Sequence, residues 1–155
     1  MADGSGVDGG MGGGLDGGPD SEMVAIGSLA ELVELVAMLG RPAFVRFSGG
    51  PQADAAGTSV DKESGCVLPG LSVNPLVPQA WWDRPMEHWL ARQLCQYAHL
   101  GGGDRFGWVL TGDVVGRGPD SEPLVREFRA VARLTARVLG EAQRVYAEVF
   151  DPGRV

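Results

Sequence analysis

Nine of the chain's 25 glycines fall within its first 18 residues, MADGSGVDGGMGGGLDGG. Glycine loses more backbone freedom on folding than any other residue, and this stretch has almost no apolar side chain whose burial could offset the loss. It therefore predicts a disordered tail over residues 1–22. Folding is confined to residues 23–155, enough for one domain with its own core. The charge is concentrated in the same tail. Asp3, Asp8, Asp16, Asp20 and Glu22 supply five of the seven net negative charges, with no base among them. The rest is near neutral, with 13 basic against 15 acidic residues.

That balance excludes several function classes. No basic run tracks a phosphate backbone, so no nucleic-acid partner is expected. Twelve of the 13 bases are arginine; the one lysine, Lys62, lies in SVDKESG and not in a GxxxxGK[ST] phosphate loop. No run approaches 18 apolar residues, so no membrane partner is expected either. The start of the chain shows no basic and apolar leader, and Cys66 and Cys95 read as free thiols. The expected location is the cytoplasm.

SLAELVELVAMLG predicts a helix. Ser28 is a candidate N-cap with Glu31 three residues on, Leu29, Leu32, Val33, Val36 and Leu39 form one stripe, and Gly40 is the terminator. Arg41-Pro42 forces an extended entry into AFVRFS, a strand with Ala43, Val45 and Phe47 on one face and Phe44, Arg46 and Ser48 on the other. Residues 49–80 are too rich in proline and glycine for a long regular element, though a short strand fits GLSV. A second helix follows WWDRP, with Asp83 as cap, Pro85 in the first turn and a buried stripe of Met86, Trp89, Leu90, Leu94, Tyr97 and Leu100. FGWVLTGDVV reads as one bulged strand or a tight pair. RAVARL reads as a further strand, with Thr135 capping a last helix whose inner face carries Val138, Ala142, Val145, Tyr146 and Val149. The alternative keeps everything from Val125 onward helical. The fold class is α+β: one domain over residues 23–155, with three main helices around a short mixed or antiparallel sheet.

Some loops are candidates for chemistry. GPDSE occurs twice, at 18–22 and 118–122. Pro-Asp suits the centre of a type I turn, and that covers the first copy. The second lies between apolar runs and delivers Glu122 to the lip of a sheet. Arg46, inside an apolar strand, requires a carboxylate partner or serves as an anion clamp with Ser48 beside it. PGLSVNP exposes Ser72 and Asn74 on one side of a short extended piece. His88, Arg92, Cys95 and His99 share a helix face, but an arginine between candidate ligands disfavours a metal. Trp81 and Trp82 are adjacent and cannot both point inward from regular structure.

Read together, VRFSGGPQAD, SGCVLPGLSVNPL, WWDRPMEHWLARQLCQYAHL and WVLTGDVVGRGPDSEPLV resemble an actinobacterial family of short proteins, a domain of unknown function, over residues 28–150. A second resemblance is to the ADP-ribosyltransferase superfamily, in the order Arg46, Ser72, Glu122. It implies an arginine on an early strand holding NAD phosphate or ribose and a serine on a short strand supporting the nicotinamide pocket. It also implies a glutamate holding a ribose hydroxyl and stabilising an oxocarbenium-like transition state. On that reading Glu122 is catalytic, Arg46, Ser48, Ser72 and Asn74 bind ligand, NAD is the cofactor, no metal is needed, and the partner is a nucleotide-like small molecule. The competing reading is a non-enzymatic interaction module whose Trp81–Trp82 pair and proline-rich loops form a partner surface. Neither reading names a protein partner.

Overall fold

The computed structural model describes residues 23–96 and 102–150. The expectations for the tail at 1–22 and for Tyr97, His99 and Leu100 lie outside those residues. After a short strand β1 (Val24–Ile26), Ser28 is extended and its hydroxyl accepts the Glu31 N–H at 3.1 Å, which starts α1 (Leu29–Leu39). Half of the expected capping box forms. The Glu31 carboxylate takes the Ser28 hydroxyl at 3.4 Å instead of returning to the Ser28 N–H. Gly40, at φ 62°, closes the helix in the left-handed conformation that a side chain disfavours.

Pro42 then sends the chain into β2 (Ala43–Ser48), where the alternation follows the sequence pattern. Ala43, Val45 and Phe47 pack toward the helices, and Phe44 packs into a second cluster on the opposite face. Residues 49–70 hold turns and one isolated pairing, Val60 with Val67. β3 (Leu71–Ser72) and β4 (Asn74–Pro75) are consecutive pieces of one extended segment. α2 (Met86–Gln96) starts directly after Pro85, and Asp83 makes no capping bond among the described residues. β5 (Phe106–Arg117) is one bulged strand, and β6 (Pro123–Leu134) excludes the helical alternative from Val125 onward. Thr135 caps α3 (Ala136–Val149), accepting the Val138 N–H and donating its hydroxyl to the Ile26 carbonyl at 2.9 Å.

The sheet runs β1-β6-β5-β2-β4, with β3 also on β6. It is mixed, because β1 lies parallel to β6 and the other pairs are antiparallel. The 71–75 segment has an unusual position. Its first half pairs with β6, Leu71 opposite Val125, and its second half pairs with β2, Phe44 opposite Pro75. Val73 continues the bonding by donating its N–H to the Pro123 carbonyl. The segment thus joins two strands that lie on either side of β5, and β2, β5, β6 and 71–75 close into a small ring. Register shifts at three places along β5–β6 supply the bending that closure requires. Phe44, Leu71, Val73, Trp108, Leu110 and Val125 fill the ring. The three helices cover the other face, over Val45, Phe47, Val109 and Ala132. Among the described residues no helix is long and apolar enough to cross a membrane.

Candidate functional site

Arg46 lies at the mouth of the ring, and its guanidinium is already engaged. Its Nε donates to Asp54 Oδ2 at 2.8 Å, Nη2 donates to Oδ1 at 3.3 Å, and Nη1 donates to the Ser72 carbonyl at 2.8 Å. The ion pair is largely sheltered, with side-chain exposures of 18% and 12%. Asp54 also receives the Ser48 hydroxyl at 2.5 Å, and Ser48 in turn accepts the indole N–H of the fully buried Trp108 at 3.0 Å. A polar chain therefore runs from the ring interior through Ser48 and Asp54 to Arg46 and the backbone of β3. Each member has a partner, which is the condition for such a network to stabilise rather than loosen a core.

The second GPDSE copy is the turn of the β5–β6 hairpin. Ser121 N–H donates to the Gly118 carbonyl at 3.0 Å, and Gly118 N–H donates to the Glu122 carbonyl at 2.8 Å. Ser121 adopts φ 64° to complete the turn. This geometry folds the Glu122 carboxylate back over Gly118, where any β-carbon would fall on it. The carboxylate is held on both sides. Asp120 N–H donates to Oε1, and the Ser72 hydroxyl donates to Oε2, each at 3.0 Å. The pentapeptide is a turn and, at the same time, a device that aims one carboxylate.

A third wall comes from the loop between β2 and β3. Residues 59–68 double back as an arm, with Asp61 N–H on the Cys66 carbonyl and Leu68 N–H on the Ser59 carbonyl. Ser59 Oγ accepts the Ser72 N–H at 2.9 Å and ties the arm to the 71–75 segment. At the tip the Ser64 hydroxyl, helped by the Glu63 N–H, holds the Asp61 carboxyl below the usual carboxylate range. The arm, the 71–75 segment and the hairpin turn enclose a cleft of about 650 Å³. Lys62 from the arm, Arg105 from the approach to β5, and the carboxylates of Asp61, Glu63, Asp120 and Glu122 line it together with Arg46. Both signs of charge share one opening.

A family of unknown function, DUF6098, matches residues 19–154. The chain belongs to it. The DUF6098 match spans every wall of the cleft and carries no activity with it. No curated protein and no solved structure matches the chain.

In this DUF6098 domain four of the five expected site residues, Arg46, Ser72, Asn74 and Glu122, border the one cleft. Ser48 does not. It is buried behind Arg46, with its hydroxyl occupied by Trp108, Asp54 and the Gly50 N–H. Sequence reasoning asked for some carboxylate opposite Arg46 without naming it. That carboxylate is Asp54, eight residues on, where the turns over 51–56 bring the chain back. Lys62 and Arg105 were missed as cleft residues; the only signal was that Lys62 is the sole lysine. On α2, Arg92 lies over the Trp82 ring, its guanidinium carbon 5.9 Å from the centroid, and burial pushes the Cys95 thiol up. Among the described residues no group of three His, Cys, Asp or Glu side chains could hold a metal. Of the tryptophan pair, Trp82 turns toward the core, edge-on to Trp89, and Trp81 is left 66% exposed.

Proposed function

We propose that the cleft of this DUF6098 domain binds NAD or a near relative, and that Glu122 assists cleavage of the bond between ribose and nicotinamide, as in the ADP-ribosyltransferases. One observation carries the reading. Arg46, Ser72 and Glu122 come from three separate parts of the chain and border a single cleft, with the Ser72 hydroxyl 3.0 Å from the Glu122 carboxylate. The cleft also has the size of a small-molecule pocket, within the range of about 300–1,000 Å³.

In the reaction, the bond from ribose C1′ to the nicotinamide nitrogen breaks. The bonding pair leaves with the nitrogen and quenches its positive charge. The oxocarbenium-like carbon is captured by water or an acceptor oxygen, which then releases its proton. A carboxylate held by two donors before charge develops needs no reorganisation when it does, and that is where electrostatic catalysis gains most. Glu122→Gln is expected to keep the fold and NAD binding and to lower NAD turnover at least about 100-fold, because the charge matters mainly in the transition state. The check is nicotinamide release by wild type and variant beside calorimetric NAD binding. Turnover in the variant equal to that of wild type removes Glu122 from the mechanism.

A second reading rests on Trp81. An indole two-thirds exposed and stacked edge-on against Trp82 and Trp89, with ring centroids 6.1 and 6.2 Å away, is an anchor of the kind that protein interfaces favour. On this reading the domain is a non-enzymatic interaction module.

A further inference from the structure

Arg46 is the obvious clamp for a ligand anion, but its charge is already matched. Asp54 takes two of its N–H donors and the Ser72 carbonyl a third. A guanidinium so engaged offers an incoming phosphate little net charge, and pulling it away would leave Asp54 sheltered and unpaired. The other two cations of the cleft differ. Lys62 and Arg105 are exposed, line the same opening, and make no ion pair among the described residues. The arm carrying Lys62 is organised by the Asp61 turn and by the Ser59–Ser72 bond, so the lysine is presented from ordered backbone.

We infer that Lys62 and Arg105, not Arg46, hold the diphosphate of the ligand, and that the cleft selects a dinucleotide carrying its own positive charge over an all-anionic nucleotide. The inference rests on the nucleotide reading above and names the chemistry of its two ends. Four carboxylates line the same cleft as these two cations. A polyanion filling the opening would meet them directly. In the proposed pose the diphosphate lies beside Lys62 and Arg105 and the cationic ring beside Asp120 and Glu122, which the Ser72 and Asp120 bonds hold together, and exposed charges act over roughly a Debye length of 8 Å at physiological salt. Arg46 is then a positioning residue. It fixes the Ser72 carbonyl, and through Ser72 it supports Glu122.

The test is calorimetric titration of the full chain with NAD, ADP-ribose, nicotinamide riboside and ATP, for wild type, Lys62→Gln and Arg105→Gln. Each substitution is expected to weaken NAD and ADP-ribose about tenfold, the loss of one charge-assisted phosphate contact, and to leave nicotinamide riboside within about twofold. ATP is expected to bind wild type at least about tenfold more weakly than NAD. Both variants should melt with wild type when unliganded, because both side chains are exposed and among the described residues neither makes an ion pair. Unchanged NAD and ADP-ribose affinity in both variants, with wild type binding, overturns the diphosphate assignment and leaves the nucleotide reading standing. ATP binding as tightly as NAD overturns the charge-matched selection. If wild type binds none of the four, the nucleotide reading itself falls, and this inference with it.

Discussion

Alternate side chains of β2 enter two different kinds of interior. Ala43, Val45 and Phe47 join the apolar cluster on the helix side. Phe44, Arg46 and Ser48 face the ring side, where an apolar filling gives way within two residues to a chain of hydrogen bonds and an ion pair. The first interior is held by area removed from water, which is non-directional and tolerant of volume-conserving change. The second is held by geometry. Each group in it was desolvated on the condition that its partner is present, so removing one partner costs more than the pair itself contributes. Stability on the helix side is therefore spread over many side chains. On the ring side it hangs on a few, of which Arg46 borders the cleft.

The difference can be broken most directly at Arg46. Arg46→Met is expected to lose about 3 kcal/mol in urea unfolding, because Asp54 is left sheltered with no cation. Replacing both partners, Arg46→Met with Asp54→Leu, should recover most of that loss. A single variant as stable as wild type would mean that the polar network holds nothing. On the helix side the comparable single change is Thr135→Ala, which removes the α3 cap and the bond to Ile26. Its expected cost is about 1 kcal/mol, read in the same urea experiment. A loss as large as that at Arg46 would erase the contrast between the two interiors. The smallest effect separates the two thiols. Cys66 is exposed on the arm, whereas burial raises the pKa of Cys95. At pH 8, iodoacetamide should modify Cys95 about tenfold more slowly than Cys66, because less of it is thiolate and access is poorer. Raising the pH should go on accelerating Cys95 above the ordinary thiol range, because burial raises its pKa. Equal rates would mean that α2 opens readily.

Much of the helix side was legible from spacing. The Ser28 and Thr135 caps, the Gly40 terminator and the alternation in AFVRFS depend on neighbours within four residues, and local backbone chemistry settles such features wherever they occur. The α2 start shows the limit of that reasoning. Asp83 has the right chemistry for a cap, but the helix begins three residues later, because the Trp82 ring packs against Trp89 and the Trp82 indole N–H bonds the Pro85 carbonyl, which sets the entry. On the ring side the residue types were readable and their partners were not. An arginine in an apolar strand announces that it needs a carboxylate. It does not say that Asp54 is the one, because that choice depends on the direction of the turns over 51–56.

By itself the sequence determined where α1 starts and stops and where α3 starts, which face of β2 turns to the helices, and that Arg46, Ser72 and Glu122 are residues to suspect. All of these follow from propensities and periodicities acting over a few residues. Only the tertiary structure decided that the 71–75 segment pairs with β6 on one side and β2 on the other, and so closes the ring. Backbone pairing of that kind is chosen by the bend of the whole β5–β6 hairpin, which no window of sequence contains. Ring closure is what brings Ser72 to Glu122, buries Ser48 behind Arg46, and sets Lys62 and Arg105 around one opening.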